Sequence, residues 1–222
     1  DVYLLNAKTG DMAPLLQPKV AANFSDFQWL ADGSGFYLAT NQGREFNAVA
    51  FYDLASGQLR TLSATDADAD NVKLAGGGDL LLWTTNEEGY SKLQGVDLVT
   101  QQPMPLPKLP AGVYDIDVST TGEVVSVNLN GPGTPGDVYV WSIGTPEQVD
   151  RIFAASIGGL DPSTFVTPIS LNYPAQDGVQ LQGLLYLPDA EIFAGKRPVV
   201  VQIHGGPTAQ SRPGFRPVEQ YL

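Results

Sequence analysis

The sequence predicts a mainly β chain, in which a partial β-propeller of about three to four blades precedes the first strands of an α/β domain. Two series of strand–turn–strand segments recur with one common spacing, and helix-length amphipathic patterns are missing before residue 155. This spacing is lost after residue 155. The sequence therefore predicts one domain over residues 1–155 and a second over residues 156–222.

The first series has four segments in which an alternating apolar strand ends in a polar residue, a short turn follows, and another strand begins. The segments start at Asp1, Ala48, Lys92 and Asp137. Their polar strand ends are 47, 44 and 45 positions apart, at Asn6, Asp53, Asp97 and Ser142. A nearly constant separation of this size indicates a repeated unit of several short strands.

The second series consists of three hairpins in the same register. They start 44 residues apart, at Trp29, Lys73 and Asp117. Gly33, Gly77 and Gly122 lie in or beside their turns, where glycine adopts positive φ freely. Four short strands in about 45 residues match one propeller blade.

A β-sandwich also has short strands and frequent turns, but two independent series with one period favour the propeller. About three and a half blades fit before residue 155, whereas a closed ring needs about four to eight. We therefore expect this region to be the last part of a larger ring.

The region after residue 155 has a different pattern. Glycines and prolines between residues 156 and 168 predict a loop, and the following segment predicts a hairpin with its turn at Asp177-Gly178. The run Val199–Ile203 is rich in β-branched residues without strict alternation, which predicts a strand buried on both faces of a sheet.

This run leads directly into His204-Gly205-Gly206-Pro207. A Gly-Gly turn lets the backbone approach a ligand closely, and N–H groups exposed there can stabilise a developing negative charge. In α/β-hydrolases a loop of this type after the third strand supplies one oxyanion donor. Taken alone, the four residues are equally consistent with a tight structural turn.

The propeller repeats, "DGVQLQG", "VVVQIHGGP" and "QSRPGF" followed by "QYL" together resemble the prolyl oligopeptidase family of serine peptidases. The resemblance is strongest to its acylaminoacyl-peptidase and dipeptidyl-peptidase-like bacterial members, and it covers the whole chain. It implies a propeller that caps an α/β-hydrolase domain and restricts access to short peptides, which are cleaved by acyl transfer through a serine.

The same resemblance implies roles for the loop residues. The backbone N–H of Gly206 is the candidate oxyanion donor, Gly205 permits the turn, Pro207 fixes its exit, and His204 shapes the loop. The nucleophile motif Gly-x-Ser-x-Gly does not occur, and Ser91 in "GYSKL" lacks the second glycine. We therefore expect the catalytic serine, aspartate and histidine beyond Leu222, and we expect this chain alone to be inactive.

Two other functions stay open, a propeller that binds proteins without catalysis and an esterase on the same fold. Family members of the dipeptidyl type hold the substrate's amino terminus with propeller glutamates, but Glu87 and Glu88 are more typical of a solvated turn. Arg44 and Arg212 are interpreted as surface residues and receive no role.

Composition limits the chemistry and the partners. The chain has no cysteine and one histidine, which argues against disulfides, thiolate catalysis and a multi-histidine metal site, so we expect no cofactor or metal. A net charge of −12 disfavours nucleic acid and anionic membranes. The expected partners are a peptide substrate and the rest of the hydrolase domain, with a homo-oligomer of the whole protein as an open question. The lack of cysteine favours the cytoplasm, while periplasmic or secreted locations stay open.

Overall fold

The structure is a computed structural model that describes residues 1–206 and 208–222, so that Pro207 of the predicted loop lies outside the described residues. The described strands are β1 (Val2–Leu5), β2 (Met12–Leu16), β3 (Phe24–Trp29), β4 (Gly35–Thr40), β5 (Ala48–Asp53), β6 (Gln58–Ser63), β7 (Ala69–Ala75), β8 (Leu80–Glu87), β9 (Tyr90–Asp97), β10 (Val113–Val118), β11 (Val124–Gly131), β12 (Thr134–Ser142), β13 (Val149–Phe153), β14 (Ile169–Pro174) and β15 (Gln180–Leu185). Short 3-10 turns lie at Gly76–Gly78 and Pro162–Thr164, and one α-helix, α1, at Pro217–Tyr221.

Strands that follow one another in the sequence pair antiparallel and form consecutive small sheets. The first blade is β3–β4–β5–β6, the second is β7–β8–β9, and the third is β10–β11–β12–β13. The hairpin β1–β2 precedes them and corresponds to the β5–β6 pair of the first blade. The predicted partial propeller is therefore confirmed.

The first repeat series marks one type of turn. The side chains of Asn6, Asp53 and Asp97 each accept hydrogen bonds from backbone N–H groups two or three residues further on. Four positions after each strand end, a residue with positive φ donates its N–H to the strand-end carbonyl: Gly10, Gly57 and Gln101. Carboxylate and amide side chains favour this arrangement, so the repeated polar residues are explained by turn chemistry.

The core lies between the blades. One cluster of buried side chains joins the first blade to the second, through residues such as Val49 and Leu81. A larger one joins the second blade to the third, through residues such as Leu82, Leu129 and Trp141. Apolar faces of neighbouring sheets thus bury each other, which is the main source of stability in stacked sheets.

The second blade departs from the expected four strands. In place of an outer strand, the described residues have a single bridge between Val96 and Pro103, with backbone bonds from Met104 N–H to Gly95 O at 3.1 Å and from Asp97 N–H to Gln102 O at 2.9 Å. Prolines occupy positions 103, 105, 107 and 110. Proline has no N–H to donate to a ladder, so the segment pairs with β9 through the N–H of Met104, which lies between two prolines, and the pairing does not extend further.

The region after Phe153 agrees with the prediction only in part. The hairpin β14–β15 forms with Gly178 at φ +86° in its turn. The prediction of a buried strand at Val199–Ile203 is wrong in this structure, because that run is irregular and Ile203 is 84% exposed. A strand of this kind depends on neighbours that bond its edges and cover its faces, and none of the described strands pairs with it. The start of an α/β-hydrolase domain is therefore not evident.

Candidate functional site

A polar cleft of about 720 Å³ lies between the propeller loops and the segment after the Gly-Gly turn. Its walls come from the loops before β5 and β7, from the β8–β9 turn, from β15, and from residues 208–212. The lining residues are Phe46, Asp66, Ala67, Asp68, Asn86, Glu88, Gln182, Thr208, Ala209, Gln210 and Arg212. Most of these side chains are polar or charged, as expected for a solvated binding surface.

Arg212 is half-buried between this segment and the second blade, with 24% of its side chain exposed. Its Nε–H donates to the carbonyl of Gly89 at 2.8 Å, and Nη2–H donates to Ser91 Oγ at 2.9 Å. Nη1 lies 3.8 Å from a carboxylate oxygen of Asp70. The interpretation of Arg212 as a surface residue is therefore wrong, because its guanidinium is largely buried and bonded to the second blade.

Asp70 is the charged partner of this arginine, and its carboxylate also accepts a hydrogen bond from the hydroxyl of Thr84. Burial raises the pKa of Asp70, opposed by the bond from Thr84 and by the charge of Arg212. Burial likewise lowers the pKa of Arg212, and Asp70 counteracts this. Each charge is thus partly desolvated and partly compensated by the other.

Other contacts hold the same segment on two blades. Asn86, in the second blade, donates from Nδ2 to Gln210 Oε1 at 2.7 Å. Pro213 is fully buried beside the β8–β9 turn. In the third blade, Asn130 Oδ1 accepts the backbone N–H of Phe215 at 2.7 Å. The segment from residue 210 to residue 215 therefore spans the junction between neighbouring blades.

The predicted loop residues lie immediately before this anchored segment. His204 is exposed, and its Nδ1 lies 2.9 Å from the carbonyl of Gly205. Gly206 has φ +142°, and a Cβ there would lie 2.9 Å from the N atom of Thr208. Among the described residues, the N–H of Gly206 finds no acceptor. A conformation restricted to glycine thus leaves one backbone donor exposed at the margin of the cleft.

Ser91 does not have the geometry of a nucleophile. It is buried, and its Oγ accepts hydrogen bonds from the N–H of Tyr114 at 3.0 Å and from Arg212. Within residues 1–206 and 208–222, Ser91 Oγ bonds to neither an imidazole nor a carboxylate. A serine without a base nearby is not activated for attack.

Sequence reasoning missed the cluster of Asp70, Asn86, Ser91 and Arg212. Each of these residues is an ordinary polar residue in its own segment, and only the fold brings them together. The available signal was the position of Arg212 directly before Pro213-Gly214, in one of the stretches that carry the family resemblance.

The part of the chain that the structure describes contains no group of three or more histidine, cysteine, aspartate or glutamate side chains arranged to hold a metal ion. Among its helices, none is both long enough and apolar enough to cross a membrane.

No protein-family model matches the chain, and no curated protein matches it. Solved structures do. Puromycin hydrolase is 19% identical over 93% of this chain and 32% of its own, with a TM-score of 0.73. Prolyl oligopeptidase B from Galerina marginata, in complex with a macrocyclization substrate, is 17% identical over 80% of this chain and 25% of its own, with a TM-score of 0.67.

A prolyl endopeptidase structure is similar as well, at 17% identity over 81% of this chain and 26% of its own, with a TM-score of 0.66. The chain spans less than a third of the length of each of these proteins. Over most of its residues, the chain therefore shares the fold of prolyl oligopeptidase family members in their propeller region, as its sequence resemblance predicts.

Proposed function

We propose that the chain is part of a serine peptidase that cleaves short peptides by acyl transfer. In this proposal the propeller limits substrate access, and the loop His204–Gly206 with Pro207 forms part of the oxyanion hole. The observation that carries it is the position of this loop. It leads directly into the segment that lines the polar cleft on the propeller, so that a backbone donor and a binding surface adjoin.

The chemistry of Gly206 supports this role. Acyl transfer passes through a tetrahedral intermediate whose oxyanion is stabilised by N–H groups that are already oriented. The N–H of Gly206 finds no acceptor among the described residues, and φ +142° holds the peptide in an orientation that few other residues adopt. A Cβ at Gly205 would meet nothing within 4 Å, so this side of the turn is open to a substrate. His204 contacts the backbone beside it and shapes the loop.

The proposal places the nucleophile in sequence that follows Leu222. The 222 residues contain no Gly-x-Ser-x-Gly, and in α/β-hydrolases the order serine, acid, histidine excludes His204 as the base. The exposed apolar run Val199–Ile203 fits the same proposal, because it has the composition of a strand that pairs within a complete hydrolase sheet.

The test compares this chain with the protein encoded by the longer reading frame. We expect a fluorophosphonate probe to label a serine beyond Leu222 in the longer protein, and we expect that protein to release chromophore from peptidyl anilides. We expect neither signal from residues 1–222, because oxyanion donors alone cannot form an acyl intermediate.

Each of the other functions gives a different result in this test. Hydrolysis of esters without hydrolysis of anilides would indicate an esterase. A longer protein without labelling or turnover would contradict the proposal and favour a binding scaffold. Labelling of the 222-residue chain at Ser91 or Ser211 would show that the nucleophile lies within it.

A further inference from the structure

We infer that Arg212 is a positioning residue, which fixes the His204–Gly206 loop relative to the propeller. The catalytic consequence of this inference rests on the proposed peptidase function, whereas its structural part does not. Arg212 lies six positions after Gly206, in the first part of the segment that contacts the propeller. Its guanidinium contacts the β8–β9 turn at Gly89, the start of β9 at Ser91, and β7 at Asp70.

The geometry of these bonds fixes an orientation as well as a distance. Two different nitrogens of one planar group donate to Gly89 O and Ser91 Oγ, at 2.8 and 2.9 Å. A planar group with two such bonds cannot rotate about its own axis without breaking one of them. Asp70, on the inner strand β7, faces the remaining side of the guanidinium. The arginine thus sets the direction in which its backbone leaves the propeller.

Burial of the Arg212 guanidinium has a desolvation penalty that an apolar side chain at the same position would avoid. The two nearest acceptors are uncharged, and the carboxylate of Asp70 lies at 3.8 Å, beyond normal hydrogen-bond distance. Apolar residues of similar volume often stabilise such a position as well as a buried charge does, or better. An arginine here is therefore better explained by the orientation that its bonds impose than by stability alone.

The contacts that follow Arg212 extend this positioning to the next blade. Gly214 lies against the side chain of Asn130, which accepts the N–H of Phe215. Gln220 donates to the carbonyl of Pro132 at 3.3 Å, between β11 and β12. The backbone from the loop is thus tied first to the second blade and then to the third. A change in the angle between these blades would displace the Gly206 donor.

Hydrogen exchange on the 222-residue chain tests the structural part. We expect Arg212→Met to accelerate exchange of the Gly214 and Phe215 amides by about tenfold or more, because the Gly214 N–H is bonded to the carbonyl of Arg212 and the Phe215 N–H holds the same segment on Asn130 Oδ1. Exchange of the Val127 and Leu129 amides in β11 should not change. Arg212→Lys should retain part of the protection, because lysine keeps the charge but not the planar pair of donors.

Arg44→Met is the matched control, since Arg44 is exposed and the substitution removes the same charge. This control should leave all of these amides unaffected. Unchanged exchange at Gly214 and Phe215 in Arg212→Met would contradict the inference. Equal acceleration at Val127 and Leu129 would also contradict it, because Arg212 would then act on the whole fold and not on the loop.

Kinetics of the longer protein test the catalytic part. We expect Arg212→Met to lower kcat on the order of 10- to 100-fold with KM within about twofold, because a displaced oxyanion donor affects the transition state more than substrate binding. A wild-type kcat in this variant would overturn the positioning role. If the wild-type longer protein does not hydrolyse any substrate, the proposed function fails, and the exchange result alone decides whether Arg212 positions the loop.

Discussion

The region up to Phe153 and the region after it differ in how deeply their apolar side chains are buried. In the first, Leu82 and Leu129 are completely buried between neighbouring blades. In the second, Val199 and Ile203 are more than 80% exposed although their sequence is more apolar than that of many propeller strands. Hydrophobicity alone therefore does not make a strand, which also needs a partner within reach.

The distance along the sequence between paired strands explains this difference. Every described sheet pairs strands that are consecutive in the sequence, so each pairing closes only a short loop. Short closures lose little chain entropy, and blades can therefore form from local information. A strand in a parallel sheet pairs across a crossover of a dozen or more residues, so its structure depends on distant segments.

The largest expected effect contrasts a buried side chain of the first region with an exposed side chain of the second. Leu129→Ala should lower the free energy of unfolding by about 2–5 kcal/mol, because it leaves a cavity between the second and third blades. Ile203→Ala should change it by less than about 0.5 kcal/mol, because that side chain is already exposed. Urea titrations of both variants measure the difference. Similar losses in the two variants would contradict the contrast between the two regions.

The next effect concerns turnover and not stability. Gly206→Val in the longer protein should lower kcat on the order of 100-fold or more, because a Cβ 2.9 Å from Thr208 N forces the donor peptide to move. Gly133→Val is a control in the propeller, where a Cβ meets nothing within 4 Å. Steady-state kinetics on a peptidyl anilide compare the two. Unchanged turnover in Gly206→Val would make this turn purely structural.

A smaller effect tests the repeated turns of the propeller. Gly57→Ala should destabilise the chain by about 1 kcal/mol, because φ +67° is strained for alanine. Gln101 occupies the equivalent position in the second blade with φ +60°, so Gln101→Gly should stabilise the chain by about 0.5–1 kcal/mol. Thermal melts of both variants give opposite shifts if the turns are equivalent. Destabilisation by Gln101→Gly would show that the bond from Gln101 Nε2 to Leu98 O at 2.6 Å outweighs the strain at this position.

The smallest effect is a pH dependence. Hydrogen bonds from the N–H groups of Thr100 and Val99 hold the pKa of the Asp97 carboxyl below its ordinary value of 3.8. A carboxyl whose pKa is lower in the folded state stabilises that state at pH values above its ordinary pKa. This contribution is lost as the pH falls through the pKa of the folded state. Asp97→Asn keeps an acceptor, as Asn6 does in the β1–β2 turn, but cannot be protonated.

Melting temperatures measured from about pH 5 to about pH 3 should therefore fall less in Asp97→Asn than in the wild type. The two proteins should be similar near neutral pH, since both side chains accept the turn bonds. The same slope in both proteins would show that this carboxyl does not contribute to acid sensitivity.

The sequence was sufficient where structure is local. Asp53 and Gly33 mark turns whose geometry depends on side chains only a few residues away, and the repeat period follows from them. Whether Val199–Ile203 forms a strand could not be decided from the sequence, because an apolar pattern does not show which other strand would pair with it. The role of Arg212 could not be predicted either, since Ser91 lies 121 positions before it and Gly89 lies 123 positions before it.

The separate clusters between blades have a consequence for how the chain loses its structure. Within the described residues, one cluster joins the first and second blades and another joins the second and third, while no cluster joins the first blade to the third. Cooperativity is then transmitted from neighbour to neighbour, as in repeat proteins, and is not shared by one common core. A third cluster packs the first blade against the β1–β2 hairpin through Leu16 and Phe36, so that the first and second blades each have an interface on both sides. Opening should therefore begin at the β1–β2 hairpin and the third blade, and reach the first and second blades last.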